Sequence, residues 1–321
     1  MAAKHKAYFV TGGCGFIGSH VVDRLITGGS VVVYDNLSSG KKEFVAGHTR
    51  KKNFKFVKAD LLDKAALIKA MRGADVVFHM AANPEIRIGE TSPEVDFKQG
   101  VVVTYNVLEA MRHLGVKKIV FASSSTVLGE LTVRPTPEDY APMKPISIYG
   151  ASKLACEGFI SAYCHMFGMQ AWIFRFANIV GKRGTHGILV DFLRKLEKDK
   201  KSLEVLGDGR QRKSYLLVED VADGMVFAFR RAKDSVNIFN LGTEDDIQIS
   251  KIARIVLKKL GLAKIKIRYT GGRRGWQGDV PLMLLDTARM KKLGWRVRYG
   301  SQFAVEKAVD ALIQEKYGYL R

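Results

Sequence analysis

The sequence predicts an α/β fold, with a doubly wound parallel sheet followed by a smaller, mixed α/β region. Two observations predict this class. Short apolar segments alternate with helical segments through the first half of the 321 residues, and the first apolar segment ends in a glycine-rich turn. Strands that alternate with helices favour a parallel sheet that is covered by helices on both faces.

The predicted elements follow one another closely along the chain. We predict strands at residues 7–10, 30–34, 54–57, 75–80, 118–122 and 170–176, and helices at residues 16–26, 64–71, 94–114, 148–167, 190–198 and 249–260. After residue 178 the strands become shorter, and glycine, lysine and arginine become more frequent. We therefore predict a first domain over residues 1–178 and a second region over residues 179–321, with a segment near 230–245 that returns to the main sheet.

The composition excludes several classes of protein. The hydrophobic fraction of 47% indicates a folded protein, and three scattered cysteines fit neither a disulfide framework nor a metal site. No segment has the roughly 18 apolar residues of a membrane span. We expect a cytoplasmic protein. The formal net charge is +20, but lysine and arginine are spread along the whole chain, which favours a basic surface that attracts small polyanions over nucleic-acid binding.

A Gly-x-x-Gly-x-x-Gly motif joins the first predicted strand to the first helix, at Gly12, Gly15 and Gly18. Gly12 permits the tight turn, Gly15 lets the backbone approach a pyrophosphate, and Gly18 lets the helix pack close to the sheet. The free N–H groups at the start of the helix favour phosphates. Asp35, at the end of the second strand, can accept hydrogen bonds from both ribose hydroxyls and repels a 2′-phosphate. The motif predicts a Rossmann-type NAD site, and a glycine turn that serves packing alone is the alternative.

A tyrosine and a lysine stand four residues apart near the start of the helix predicted over residues 148–167, at Tyr149 and Lys153. This spacing places both side chains on one face of the helix. A phenol is a weak base near neutral pH, and a neighbouring ammonium stabilises the phenolate, so we expect a lowered pKa for Tyr149. Ser124 follows a predicted strand, at the strand end where ligands bind in such sheets. The three residues are candidate catalytic groups, although an ordinary helical Tyr–Lys pair would look the same by itself.

Taken together, these motifs resemble those of the extended short-chain dehydrogenase/reductase family, and within it the nucleotide-sugar epimerases of the UDP-glucose 4-epimerase type. The resemblance covers essentially the whole chain. The matching segments are residues 12–18, 34–40, 60–61, 79–82, 123–129, 149–153, 175–178, 206–209 and 278–280.

The resemblance implies which residues hold NAD. Asp60 and Leu61 would lie on either side of the adenine, and Ala81 and Ala82 would line the path of the cofactor. The complete set of implied cofactor residues is Gly12, Gly15, Phe16, Ile17, Gly18, Asp35, Asn36, Ser39, Gly40, Asp60, Leu61, Met80, Ala81, Ala82, Tyr149 and Lys153.

A second implied set of residues would bind a sugar nucleotide. It comprises Ser124, Thr126, Tyr149, Asn178, Arg87, Leu206, Arg212, Lys213, Arg274 and Met283. Family members often carry an arginine at the position of Lys213, and lysine lacks the planar fork of a guanidinium, so either Lys213 or the adjacent Arg212 would hold the diphosphate. Trp276 stands where another arginine is usual, and Arg274 is its candidate replacement.

Two residues of this second set bear on the choice of sugar. Met283 would lie beside the C2 substituent of the sugar, or else in the core of the protein. Arg87 would bind the carboxylate of a uronate, or else lie in solvent. Neither residue decides between the alternatives from the sequence.

The reaction that the resemblance implies is the 4-epimerisation of a UDP-hexose, with Tyr149 as the base and Ser124 holding the C4 oxygen. Related dehydratases carry an Asp-Glu pair where this chain has Ser125 and Thr126, which disfavours the elimination of water. The alternatives are a 4-epimerase of a UDP-N-acetylhexosamine or a UDP-hexuronate, a one-way NAD(P)-linked reductase or dehydrogenase, and a non-catalytic dinucleotide-binding protein that uses its basic surface on RNA.

The same resemblance implies a homodimer. In the family, two long helices of each subunit form a four-helix interface, and the matching segments here are the helices predicted over residues 94–114 and 148–167. Both predicted helices have more apolar positions than a single buried face requires.

Overall fold

The computed structural model describes residues 6–317. Its strands are β1 (Lys6–Thr11), β2 (Gly29–Asp35), β3 (Phe54–Lys58), β4 (Val76–His79), β5 (Lys118–Ser124), β6 (Gln170–Phe176), β7 (Asn178–Val180), β8 (Ser202–Val205), β9 (Arg212–Lys213), β10 (Tyr215–Leu217), β11 (Val236–Leu241), β12 (Ile247–Gln248), β13 (Lys266–Tyr269) and β14 (Leu282–Met283). Its α-helices are α1 (Phe16–Leu25), α2 (Lys64–Met71), α3 (Pro93–Asp96), α4 (Val103–Leu114), α5 (Ile148–Phe167), α6 (Ile188–Lys198), α7 (Val218–Arg231), α8 (Ile249–Lys259), α9 (Ala288–Leu293) and α10 (Ser301–Tyr317).

The central sheet has seven parallel strands in the order β11-β6-β5-β4-β1-β2-β3, and this confirms the predicted fold class. Because successive side chains of a strand point to opposite faces, Phe9 and Val10 of β1 enter two different hydrophobic cores. One core lies under α1 and α7, and the other lies under α2, α4 and α5. The carboxyl ends of the strands therefore meet at one edge of a sheet that is covered on both faces.

A single helix was expected over residues 94–114, and the structure instead has α3, a π-helical turn at Phe97–Val102 and α4 in succession. The wider turn contains Gly100, which packs against α5. A Cβ atom added at Gly100 would lie only 2.9 Å from the Oγ of Ser152. The close approach of the two helices thus depends on glycine at this position.

The C-terminal part of the chain has a hydrophobic core of its own, built by α6, α8, α10 and short strands. The helices α7, α9 and α10 were not predicted from the sequence. The strand β11 leaves this part of the chain and pairs with β6 in the main sheet. The boundary between the two regions at residue 178 stays a prediction.

Candidate active site

The glycine turn between β1 and α1 has a backbone that no larger residue could follow. Gly12 has a φ of +65°, and a Cβ atom there would lie 2.7 Å from the backbone of Ala81. A Cβ atom at Gly18 would overlap the carbonyl oxygen of Gly12. The turn is closed by a 3.0 Å hydrogen bond from the N–H of Gly15 to that same oxygen. The result is a concave loop at the start of α1 whose backbone can approach a phosphate closely.

The carboxylate of Asp35 stands at the end of β2 beside this turn. One oxygen accepts from the N–H of Cys14 at 2.9 Å, and the other accepts from the N–H of Leu37 at 2.8 Å. Burial raises the pKa of Asp35, and these two hydrogen bonds lower it. The side chain is therefore held in one orientation at the edge of the cavity.

All the predicted cofactor residues line one elongated cavity of about 150 Å³ along the strand ends. Asp60, which follows β3, accepts a 2.8 Å hydrogen bond from Asn36 and a 2.9 Å bond from the N–H of Leu62, so the distal end of this cavity is also fixed. Sequence reasoning missed several lining residues, among them Thr185 and His186. These two lie far along the chain, and the three glycines within residues 181–187 were the only local signal of a loop there.

Tyr149, Lys153 and Ser124 come together at the strand end of β5. The Oγ of Ser147 caps α5 through the N–H of Gly150 at 3.1 Å, which places Tyr149 in the first turn. Lys153 is almost fully buried, and its Nζ donates to the carbonyl of Ala122 at 2.7 Å and lies 5.7 Å from the centre of the Tyr149 ring.

Ser124 is held in place by Thr126, two residues further along the chain. The Thr126 hydroxyl donates to Ser124 Oγ at 2.9 Å. Ser124 is also the last residue of β5 and faces the same cavity as Tyr149. Its hydroxyl therefore has a fixed orientation at the strand end.

The pKa of Tyr149 corrects the expectation from the sequence. Burial raises the pKa of this phenol well above its usual range, and the carboxylate of Asp96 raises it further. Burial also lowers the pKa of Lys153, to about 8, against the opposing effects of Cys156, Glu157 and Asp96. The sequence motif reveals the Tyr–Lys spacing but neither the depth of burial nor the buried carboxylate.

A larger cavity of about 390 Å³ adjoins the first. Of the predicted substrate residues, the structure brings seven to its wall: Arg87, Ser124, Thr126, Tyr149, Asn178, Leu206 and Lys213. Trp276 and Asp279 also line it. Tyr149 lies on the wall of both cavities, at their junction.

Three predicted substrate residues do not line this cavity. Met283 is buried in a small core with Val127, Leu128 and Leu285, because β14 packs onto the turn that follows β5. Arg212 is half exposed and pairs with Asp246.

A two-residue strand explains the difference between the neighbours Arg212 and Lys213. Successive side chains of β9 point to opposite sides, so Lys213 faces the cavity and Arg212 faces away. Arg274 is directed to Glu130 and to the carbonyl of Asp279. The candidate for the diphosphate contact is therefore Lys213.

Two of the cations around the larger cavity, Lys213 and Arg87, are paired with carboxylates. Lys213 pairs with Asp279, whose other oxygen accepts from the N–H of Gly275 at 2.9 Å. Arg87 pairs with Glu85 at 3.2 Å. These carboxylates orient the cationic groups and offset their charge.

Residues 8–242 match the model of the "NAD dependent epimerase/dehydratase family". The chain belongs to this family. This confirms the resemblance found in the sequence. It also makes the chain an NAD-dependent enzyme, and the glycine turn and the buried Asp35 fit that cofactor.

Three relatives show how far the similarity extends. A putative UDP-glucose 4-epimerase of Methanocaldococcus jannaschii is 33% identical over 308 residues, which cover 94% of this chain and 96% of the relative. A UDP-glucuronate 4-epimerase of Thermodesulfobacterium geofontis is 28% identical over 94% of this chain and 95% of its own. A crystal structure of a UDP-galactose 4-epimerase superposes with a TM-score of 0.86 at 42% identity, over 96% of this chain and 99% of that one.

Within residues 6–317 no three His, Cys, Asp or Glu side chains are grouped so that they could hold a metal ion. None of the helices described there is long and apolar enough to cross a membrane.

Proposed function

We propose that the protein interconverts the C4 epimers of a UDP-hexose of the UDP-glucose/UDP-galactose type. The observation that carries the proposal is the position of Tyr149 at the junction of the two cavities, with Ser124 on the wall of the larger one. A group that must act on a sugar carbon beside a nicotinamide needs this position.

The chain's own residues handle the proton and the alignment of the sugar. Tyr149 in its phenolate form accepts the proton of the C4 hydroxyl, and as the neutral phenol it later returns one to the C4 oxygen. Ser124, oriented by Thr126, donates a hydrogen bond to that oxygen while it is a carbonyl. Lys153 keeps a positive charge near the phenol. Bound NAD supplies the acceptor and the donor for the hydride at C4.

The diphosphate is assigned to Lys213 and Asn178, which lie on the same wall of the larger cavity. Asn178 is fixed by a 3.1 Å hydrogen bond to the carbonyl of Ser214, and Lys213 by its ion pair with Asp279. The nucleoside then extends towards Leu206, a further lining residue. This order places the sugar at Tyr149.

A neutral sugar fits the remaining end of the cavity better than a uronate. Arg87 is the cation at this end, and Glu85 lies 3.2 Å from it. The pair has no net charge, so a substrate carboxylate would have to displace Glu85. The alternatives, a UDP-N-acetylhexosamine or a UDP-hexuronate, differ in the substrate and not in the chemistry at C4.

A screen of three substrate pairs tests the proposal. Purified protein with measured NAD content is incubated with the UDP-hexose, UDP-N-acetylhexosamine and UDP-hexuronate pairs, and the epimers are separated by chromatography. We expect fastest turnover of UDP-glucose and UDP-galactose, with no lasting rise in NADH absorbance. A stoichiometric rise would support a one-way dehydrogenase instead, and no turnover in NAD-containing protein would refute the proposal.

We also propose a homodimer. Large apolar side chains are exposed on the helices that the family uses for its interface. They are Phe97, Tyr105, Phe159 and Met166, and Met166 is 75% exposed. A second copy of the same surface would cover them in an isologous interface. Sedimentation should give twice the chain mass, and a monomer mass at micromolar concentration would refute the dimer.

The cytoplasm is the compartment that we propose. All three cysteines, Cys14, Cys156 and Cys164, are free and buried. Burial raises the pKa of the Cys14 thiol to about 12 and that of Cys164 to about 11, so neither is a reactive thiolate at neutral pH. Fractionation of the source cells would test this assignment, and recovery of the protein outside the soluble cell contents would contradict it.

A further inference from the structure

A buried carboxylate stands beside the catalytic pair and has no part in the chemistry described above. Asp96 ends α3 and is 1% exposed. Its Oδ1 accepts a 2.9 Å hydrogen bond from Asn83, whereas its buried Oδ2 has no hydrogen-bond partner among the described residues. A buried carboxylate oxygen without a donor destabilises a fold, so its presence calls for a compensating role.

The unpartnered oxygen lies near the start of α5, with Gly89 between them. A Cβ atom added at Gly89 would be 3.0 Å from Asp96 Oδ2 and 3.2 Å from the Cβ of Ile148, the residue before Tyr149. Gly89 therefore lies between the buried carboxylate of Asp96 and the start of the helix that carries Tyr149 and Lys153.

The negative charge of Asp96 raises the pKa of both Tyr149 and Lys153. Asp96 raises the pKa of Tyr149 in addition to the effect of burial. It also raises the pKa of Lys153, against the larger lowering that burial causes. Lys153 in turn lowers the pKa of Asp96, whose own burial raises it.

The other charged or titratable groups near Tyr149 and Lys153 do not raise the pKa of both residues by a negative charge near pH 7. Cys156 faces both groups, but burial raises its pKa, so it is a neutral thiol near pH 7. Glu157 acts on Lys153 and is paired with Arg175 at 2.7 Å. His79 is neutral, because burial lowers its pKa to about 3. Among the described carboxylates, Asp96 alone acts on both Tyr149 and Lys153.

We propose that Asp96 is a positioning residue whose negative charge keeps Lys153 in its ammonium form and thereby sets the pH range in which Tyr149 exchanges a proton with the sugar. The inference deepens the proposed epimerase function and rests on it. Asp96 touches neither sugar nor cofactor in this account and acts through the Tyr–Lys pair.

The test is the pH dependence of kcat/KM for Asp96→Asn, measured with the best of the three substrate pairs. Removing the charge lowers the pKa of both catalytic groups, so both limbs of the profile move to lower pH, by about one unit. Activity should therefore fall about tenfold on the alkaline side and rise on the acid side. Glu94→Gln removes an exposed carboxylate from the same helix and should leave the profile in place.

A second pair of variants separates charge from structure. Asn83→Ala breaks the hydrogen bond to Asp96 but keeps the charge, so KM can change while both limbs stay in place. If Asp96→Asn does not fold, Asp96→Ser gives the same comparison with a smaller uncharged side chain. A uniform loss of kcat at every pH, with both limbs unmoved, would overturn the proposal, as would limbs that move in opposite directions.

A stability measurement keeps the proposal testable if no substrate pair is turned over. The lowered pKa of Lys153 makes the free energy of unfolding rise with pH from about 8 upward. In Asp96→Asn this rise should begin at a lower pH. An unchanged onset would refute the role of Asp96, whereas absence of turnover in the wild type would refute only the proposed reaction.

Discussion

The two cavities of this protein are built in different ways. The cofactor cavity is bounded by backbone at the glycine turn, where a Cβ atom at Gly12 or Gly18 would collide with main-chain atoms and one at Gly15 would lie 3.1 Å from the carbonyl oxygen of Gly12. The candidate binding groups of the substrate cavity are side chains, and two of its cations are paired with carboxylates, as in the pair of Lys213 and Asp279. The backbone-built turn leaves no room for a side chain at Gly12 or Gly18, whereas a site of paired side chains can be retuned by changing one partner.

The largest effect is expected at the junction of the two cavities. Tyr149→Phe removes the proposed base and should lower kcat about 10²–10⁴-fold, with NAD content and KM close to those of the wild type. Steady-state kinetics and the NAD released on denaturation measure both quantities. Tyr299→Phe, an exposed tyrosine near the C-terminal helix, serves as the control and should change neither. Retention of most of the activity by Tyr149→Phe would exclude this residue as the base.

A substitution in the glycine turn tests whether the cofactor cavity is backbone-built. Gly18→Ala places a Cβ atom on the carbonyl oxygen of Gly12 and should cost about 3 kcal/mol of stability together with most of the bound NAD. Gly47→Ala is the matched control, since no atom lies within 4 Å of the added Cβ. Thermal unfolding and NAD content provide the readouts, and normal NAD content in Gly18→Ala would contradict the account.

The burial of Lys153 should lower the free energy of unfolding of the protein near neutral pH. Its pKa is lowered to about 8, so the unfolded chain binds the proton more tightly and the folded state is penalised in full below pH 8. Lys153→Met removes this penalty but also the hydrogen bond to Ala122, for a net gain on the order of 2 kcal/mol at pH 7. The gain should shrink as the pH rises from 8 towards 10.5.

Chemical denaturation at several pH values measures this prediction. The variant should be inactive and yet more stable than the wild type at pH 7. A variant that is less stable at every pH would show that the ammonium contributes to the fold itself.

The smallest effect is expected in the substrate cavity, where two neighbours of β9 can be compared. Lys213→Gln should raise KM for the UDP-sugar about tenfold, since it removes a charged contact to the diphosphate. Arg212→Gln should leave KM within about twofold, because this side chain faces solvent and Asp246. Equal effects of the two substitutions would show that the alternation along β9 does not govern diphosphate binding.

The sequence predicts the cofactor side of the molecule well, for a physical reason. A turn with positive φ and close backbone contacts requires glycines at fixed spacing between a strand and a helix, and this spacing is visible in the sequence. Every predicted cofactor residue lines one cavity. Most strands of the parallel sheet could also be predicted, because their short apolar segments stand out in the sequence. Thr185 and His186 were missed because tertiary folding brings a distant loop to the cofactor cavity.

The substrate side could not be predicted as well. Whether Arg212 or Lys213 faces the cavity depends on the register of a two-residue strand, and composition does not reveal it. Met283 reads equally well as a pocket residue and as a core residue, and packing against Val127 and Leu128 decides for the core. The raised pKa of Tyr149 has its cause in burial and in Asp96, far from the Tyr–Lys motif in sequence.

The most direct test of the proposed reaction follows an isotope at C4. UDP-glucose that carries deuterium at C4 is incubated in ordinary water with the NAD-containing protein, and the UDP-galactose is analysed by mass spectrometry and NMR. The hydrogen that leaves and returns to C4 as a hydride does not exchange with solvent, whereas the proton that Tyr149 accepts does. We predict UDP-galactose that keeps its deuterium at C4. Loss of the deuterium to water, or absence of UDP-galactose, would contradict it.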